Sequence, residues 1–210
     1  MSEKKRGGNL IVLSGPSGVG KSALTEYALR SLSDLRFSVS YTTRAPRGGE
    51  RDGVEYFYTD RAKFESLSAT GEFLEWAEVH GNYYGTSRNF IEDFLRQGND
   101  VILDIDVQGA RAVKKARPDA VAVFVMPPSF DALRKRLIRR SLDDTGVIEK
   151  RLKIARDEIR HYEDYDYLIV NDDLANAERE LVAVIVGARC RMSARRDAAA
   201  SIILNFELEG

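Results

Sequence analysis

The sequence is poor in the residues that bind metals and close disulfides. It holds one cysteine, Cys190, and two histidines, His80 and His161. A single cysteine excludes an intramolecular disulfide framework and a cysteine zinc site. Two histidines leave little for a histidine metal cluster or a His-based triad. Such cysteine usage fits a reducing, cytoplasmic compartment. An excess of either charge is also missing: 32 Lys+Arg stand against 33 Asp+Glu, a formal net charge of −1. A protein that coats nucleic acid needs a strong basic excess, so nucleic acid is not an expected partner, although basic groups can still cluster locally. No apolar run approaches the ~20 residues of a membrane span. The stretch Leu10 to Leu13 behind the basic start is too short for a secretory signal. The expectation is a chain without membrane or nucleic-acid partners. At 210 residues, 43% hydrophobic and 31% charged, it reads as an ordinary globular protein. That length suits one domain, or one core carrying small inserts.

The order of elements is legible in outline. Asn9 to Ser14 is a short apolar run ending in a glycine turn, which predicts a buried strand. Lys21 to Leu32 carries Leu24, Ala28 and Leu32 at helical spacing. Phe37 to Ser40 is a second strand candidate. From Tyr41 to about Arg88 six glycines, from Gly48 to Gly85, punctuate a tyrosine-rich stretch, which predicts an inserted β-rich segment. Asn89 to Arg96 reads as a helix stopped by Gly98, Asp100 to Asp106 as a strand, and the residues after it to about Ala116 as a helix. Ala120 to Met126 is an apolar strand ended by Pro127-Pro128. Ser129 is placed to cap the next helix, which carries the basic run Arg134 to Arg140. Val147 to Tyr162 predicts a charged helix, Tyr167 to Val170 the last core strand, and Asn176 to Cys190 the last core helix. Alternating strands and helices predict an α/β fold, a parallel sheet covered on both faces.

Gly15-Pro-Ser-Gly-Val-Gly-Lys21-Ser22 fits G-x-x-x-x-G-K-[ST]. Its glycines let the backbone curl so that N–H groups point at phosphate oxygens. Lys21 reaches the outer phosphates, the Ser22 hydroxyl can help hold Mg²⁺, and the following helix adds its positive end. Asp104 and Asp106 stand at the carboxyl end of an apolar strand. Two residues apart, they are expected to share a face, with Asp104 placed to orient Mg²⁺ directly or through water. A phosphate loop says nucleotide and leaves the acceptor open. Arg44 and Arg47 flank a proline turn, and forked guanidinium groups suit a second phosphate.

The segments Phe37 to Arg47, Phe73-Leu-Glu-Trp76, Gly81-Asn-Tyr-Tyr-Gly85, Ile102 to Gly109 and Ile169-Val-Asn-Asp172, taken in order, resemble the guanylate kinase family. The resemblance runs from about Asn9 to Val186. It implies a P-loop kinase: a parallel-sheet core flanked by helices (residues 1–38, 98–133 and 164–210, with 187–210 an extension), an inserted β-rich GMP-binding subdomain (39–97) and a helical lid (134–163). The implied reaction moves the γ-phosphoryl group of ATP to GMP, and also to dGMP, with Mg²⁺ as cofactor. The implied ATP site is Gly15, Pro16, Ser17, Gly18, Val19, Gly20, Lys21, Ser22 and Ala23, with Arg136, Arg140 and Asn171. The implied GMP site is Ser40, Glu75 and Asp106 around the base, Arg44, Arg47, Tyr56 and Tyr84 around the phosphate, and Thr86 where the family uses a small hydroxyl residue. Lys21, Arg44, Arg140 and Arg151 would be catalytic, and Ser22 and Asp104 would face the metal. The chain departs from the family at Ser141, where glycine is usual after the arginine matching Arg140, and in the stretch Ser141 to Gly146.

A nucleoside monophosphate brings its own nucleophile, so the scarcity of histidine and cysteine fits this reaction. Two other readings stay open on the sequence alone: an interaction module of the same fold that has lost its chemistry, and a kinase of another small acceptor. The extension past Gly187 carries Arg189, Arg191, Arg195 and Arg196, read as a solvated helix. Ser201 to Leu208 alternates at its end and is expected to add a strand, or to dock on the core or in a dimer, the oligomeric state being monomer or homodimer.

Overall fold

The structure, a computed structural model, describes residues 7–79, 81–140 and 145–208. Leu10–Ser14 forms β1, and the glycine loop after it leads into α1 (Lys21–Ser31) and β2 (Leu35–Phe37). After the insert come α3 (Arg88–Arg96), β7 (Asp100–Asp104), α4 (Val107–Ala116) and β8 (Val121–Met126). The helical pair α5 (Phe130–Arg140) and α6 (Thr145–Glu158) follows, then a 3₁₀ segment (Ile159–Asp164), β9 (Tyr167–Val170), α7 (Leu174–Ala188) and α8 (Met192–Leu208). Five strands make one sheet in the order β2-β7-β1-β8-β9, all parallel, so the predicted doubly covered core is present.

The continuous apolar runs follow from that coverage, because a central parallel strand has no wet face. Ile11 and Leu13 of β1 point to the side where Leu24 and Ala28 of α1 meet Leu181 and Ile185 of α7. Leu10 and Val12 point to the other side, against Ile91 and Leu95 of α3 and Val113 of α4. The insert folds as a second sheet of β3 (Tyr41–Thr42), β4 (Phe57–Tyr58), β5 (Phe73–Val79) and β6 (Asn82–Ser87), in the order β4-β3-β6-β5. It also carries a helix the β-rich reading did not contain, α2 (Arg61–Ala69), capped by Asp60. Phe64 of α2 stacks on Phe73 at 4.6 Å between ring centroids and seals that sheet from outside.

Several boundaries differ from the sequence expectation. β2 ends at Phe37, not Ser40, because its register on β7 runs only from Leu35↔Asp100 to Phe37↔Ile102. β7 stops at Asp104. Asp106, expected on the same strand face, is instead the N-cap of α4, with its Oδ1 accepting from Gly109 N at 2.8 Å. The charged helix ends at Glu158 and tightens into the 3₁₀ segment, and the last core helix begins earlier, behind its cap Asp173. Ser129 does cap α5, its Oγ accepting from Ala132 N. The tail is the plainest correction. Residues 201–208 form no strand but continue α8, and Ile202, Ile203, Leu204 and Phe206 are each more than half exposed, so they do not dock on the core. No helix among the described residues is long and apolar enough to cross a membrane.

One polar tie fixes the end of the sheet remote from the glycine loop. Asp100 is fully buried and accepts from Asn9 N (2.8 Å), Asn9 Nδ2 (2.9 Å) and Arg189 Nε (2.7 Å). It joins the start of β1, the start of β7 and the end of α7. Removing the arginine would take a hydrogen-bonded countercharge away from a buried carboxylate. Arg189→Ala is expected to lower the unfolding free energy by about 3 kcal/mol in urea denaturation followed by circular dichroism. A loss under about 1 kcal/mol, the value of an exposed pair, would show that water replaces the guanidinium.

Candidate functional site

The loop between β1 and α1 is built from backbone. Gly20 takes φ 105°, the left-handed region, and serves as the N-cap of α1 without a side chain to fill the helix end. A Cβ there would lie 2.5 Å from Asn171 Nδ2, and one on Gly18 would lie 2.6 Å from Leu137 of α5. Glycine at these positions therefore lets two other elements press against the loop. The amide of Asn171 donates to Val19 O at 2.8 Å, and Arg136 donates to Asn171 O at 2.8 Å and to Val19 O at 3.4 Å. Both residues brace the loop from behind. In front, Lys21 Nζ donates to Gly15 O at 2.8 Å and stands 3.7 Å from Asp104 Oδ1. The open N-terminus of α1 and this ammonium face one cavity of about 330 Å³, a ready site for phosphate oxygens.

The opposite wall of that cavity is β5. Its alternate residues Glu75, Ala77 and Val79 face inward, while Trp76 between them is about half exposed. Glu75 is buried, with Thr86 Oγ1 of β6 donating to its Oε1 at 2.5 Å, and it lies beside Gly109 at the start of α4. Burial pushes its carboxyl up to about 7; the Thr86 hydrogen bond opposes this and the charge of Asp106 adds to it. A buried carboxylate with one fixed donor keeps lone pairs for a ligand that brings N–H groups.

Between these walls lies a basic and aromatic corner. Arg44 donates from one nitrogen to both oxygens of Glu50, each at 2.9 Å, and its guanidinium carbon lies 5.3 Å from the centre of the Tyr56 ring. Tyr56 in turn meets Tyr84 edge to face, 5.8 Å between centroids. Glu50 also accepts from Arg47 N (2.7 Å) and Tyr58 OH (2.8 Å). The hydrogen bond from Arg44 holds the Glu50 carboxyl well down, to about 2, and holds the arginine more firmly protonated. Arg47 is exposed and lines both the first cavity and an adjoining space of about 620 Å³ that reaches Arg44.

The first cavity therefore gathers Gly15, Ser17, Gly18, Gly20, Lys21, Ser22, Ser40, Arg47, Tyr56, Glu75, Tyr84, Asp104, Asp106 and Arg151. Arg44 lines the adjoining space, and Thr86 acts on Glu75 from the buried side. Pro16, Val19 and Ala23 belong to the loop and the first turn of α1, with the Val19 side chain fully buried. Arg136 and Asn171 do not line the cavity. Arg140 ends α5, but its side chain lies outside the described residues, as does Ser141. Two carboxylates, Glu50 of the adjoining space and Glu158 of the first cavity, went unremarked in the sequence. Glu50 sits three residues past Arg47, and Glu158 lies seven past Arg151 on α6; that helical spacing was the available signal.

Two anion sites on one cavity, with a hydrogen-bond acceptor for a base edge, suit transfer between two phosphorylated ligands. Known proteins agree. A family model described as guanylate kinase matches residues 7–187. A guanylate kinase of Symbiobacterium thermophilum is 53% identical over 184 residues, covering 88% of this chain and 87% of that protein. One from Aromatoleum aromaticum is 50% identical, covering 88% and 90%. The crystal structure of guanylate kinase from Anaplasma phagocytophilum superposes with a TM-score of 0.75 at 37% identity, covering 90% of each chain.

The raised Glu75 carboxyl predicts a pH effect on stability. The unfolded group titrates near 4.5 and the folded one near 7. Its contribution is therefore fully present below pH 4.5 and is lost as pH rises through 7. Relative to wild type, Glu75→Gln is expected to gain about 3 kcal/mol of stability between pH 4 and pH 8, read from urea unfolding at each pH. A difference that stays constant with pH would show that the carboxyl ionises at its ordinary value.

Proposed function

The chain belongs to the guanylate kinase family, and we propose that its cavity binds ATP on the loop side and GMP on the Glu75 side, moving the γ-phosphoryl group between them to give ADP and GDP. The observation that carries this reading is the single cavity shared by the phosphate loop and the buried carboxylate of Glu75. Guanine offers N1–H and a 2-amino group to a carboxylate, whereas adenine offers an acceptor at N1 and no such amine. A buried mismatch of this kind is worth roughly 10⁴-fold in kcat/KM. Ser40 and Asp106 complete the base site, Thr86 orients Glu75, and Arg44, Arg47, Tyr56 and Tyr84 take the GMP phosphate. Glu50 keeps Arg44 charged and aimed.

The nucleophile is an oxygen of the GMP phosphate, largely ionised near neutral pH, so no side-chain base is required. Catalysis is positioning plus neutralisation of the transferring group. Lys21 supplies charge from the loop, Arg44 from the GMP side, and Arg140 and Arg151 from residues 134–163 acting as a lid. Closure of that lid over the cavity excludes water, which would otherwise accept the phosphoryl group. Residues 39–97 form the GMP-binding subdomain, and the remainder is the core. Asn171 and Arg136 serve ATP by fixing the loop, with Asn171 on the adenine side. Mg²⁺ fits the donors present: the Ser22 hydroxyl and the Asp104 carboxylate are hard oxygen ligands. Mg²⁺ with nucleotides takes most of its shell from phosphates and water rather than from a protein cage. It would neutralise charge on the bridging phosphates. The place of the reaction is cytoplasmic purine metabolism and GMP recycling, with dGMP a second acceptor.

The test is ADP release in a coupled assay with GMP, dGMP, AMP, CMP and UMP in parallel. GMP is expected to exceed AMP by about 10⁴-fold in kcat/KM; comparable use of AMP would overturn the assignment of Glu75. Glu75→Gln is expected to lower kcat/KM for GMP by about 10²-fold while the KM for ATP stays within about twofold. Equal losses for both nucleotides would contradict the division of the cavity. Lys21→Ala is expected to remain folded by circular dichroism and to lose nearly all turnover; retained activity would place the phosphate site elsewhere.

A further inference from the structure

We infer that Glu158, the last residue of α6, accepts hydrogen bonds from the ribose hydroxyls of the acceptor nucleotide and thereby favours a ribonucleotide with its hydroxyls intact. The inference rests on the reading of the cavity given above. α6 has two working stripes. Ile148, Leu152 and Ala155 pack against Leu133 and Leu137 of α5. A neighbouring stripe, Arg151, Ile154 and Glu158, lines the first cavity. The spacing i, i+3, i+7 puts these three on one side of the helix, so Glu158 and Arg151 enter the same space from the same element.

Nothing local accounts for a carboxylate at this point. The residue four before it is Ile154, which offers no countercharge. Among the described residues Glu158 has no hydrogen-bond or ion-pair partner. The groups whose charge it feels lie on other elements facing the cavity: Lys21 at the start of α1 and Asp106 at the cap of α4. Burial pushes its carboxyl up to about 7, Lys21 lowers it and Asp106 raises it again. An acceptor-only group is mismatched to phosphate and matched to O–H donors. In GMP the base edge is met by Glu75 and Ser40, and the phosphate by the arginines and tyrosines. The ribose hydroxyls are the remaining donors. They lie next to the base in the nucleotide, and Glu158 shares the cavity with Glu75 and Asp106 of the base side and feels the charge of Asp106. Two hydroxyl donors would also favour its ionised form.

The experiment measures kcat/KM at saturating ATP for GMP, dGMP and 2′,3′-dideoxy-GMP with the wild type, Glu158→Gln and Glu158→Ala. Loss of hydrogen bonds to a charged acceptor is expected to cost the wild type about 10-fold or more between GMP and the dideoxy nucleotide. In Glu158→Ala the two are expected to be used within about twofold, with Glu158→Gln intermediate because its amide oxygen still accepts, and with the KM for ATP unchanged in both. A wild type that uses GMP and dideoxy-GMP equally would overturn the inference. So would a ratio preserved in both variants beneath a uniform loss of rate, which is the signature of a merely structural residue. If the alanine variant does not fold, the glutamine variant decides by the same ratio. A wild type inert towards GMP is a different failure: it would remove the reading of the cavity itself, and this inference with it.

Discussion

The contact between the glycine loop and the elements behind it sets the position of every other group in the site. Leu137 of α5 presses where Gly18 has no side chain, and Asn171 at the end of β9 presses where Gly20 has none. The carbonyl of Val19 between them is held by Asn171 and by Arg136 of α5. A loop so braced presents its N–H groups without reorganising, which is what makes preorganised donors effective. The bracing also runs outward. α5 is seated on the loop, α6 is seated on α5, and the cavity stripe of α6 is therefore indexed to the loop through two packed layers.

The cavity treats its carboxylates in opposite ways. Glu50 is paired and driven down to about 2, so that it stays an anion and keeps Arg44 in register. Glu75 is buried and driven up to about 7, held near the point where a guanine edge would tip it towards the anion. The distinction comes from surroundings: a paired guanidinium in the first case, burial reinforced by the charge of Asp106 in the second. A near-zero net charge over the chain is thus the sum of strongly unlike local fields.

What the sequence discloses depends on whether a requirement falls on the residue itself or on its partner. The loop is legible because a left-handed backbone and a close approach both demand glycine at Gly18 and Gly20. The buried strands are legible because coverage on both faces makes them continuously apolar. The boundary at the end of β7 is not, since Ile105-Asp106 suits either strand or cap; the bond from Gly109 N decides it. Glu158 is hidden in a helix rich in charge, where one carboxylate looks like the others until the cavity shows which stripe it belongs to. Asn171 and Arg136 carry no local mark of their task, because their shared partner, the Val19 carbonyl, is 152 residues away in the first case and 117 in the second. The tail misled for a related reason: Ile202, Ile203 and Leu204 have the composition of a strand, and their helical state follows from continuation of α8 rather than from any contact of their own.

The placement of β1 at the centre of the sheet has a consequence for the growing chain. It leaves the ribosome well before both of its neighbours, since one pairs at Leu10↔Val101 and the other at Ile11↔Val121. Translation at about 5–20 residues per second leaves the strand without either neighbour for roughly 5–20 s. Through that interval its unpaired edges and apolar faces have no native cover, and the second sheet must be made before the strand on which the loop depends can be locked. The second sheet has less of this delay, since β5 and β6 pair close in sequence, from Val79↔Asn82. In a nascent chain the second sheet can therefore order first, and the glycine loop waits for β8.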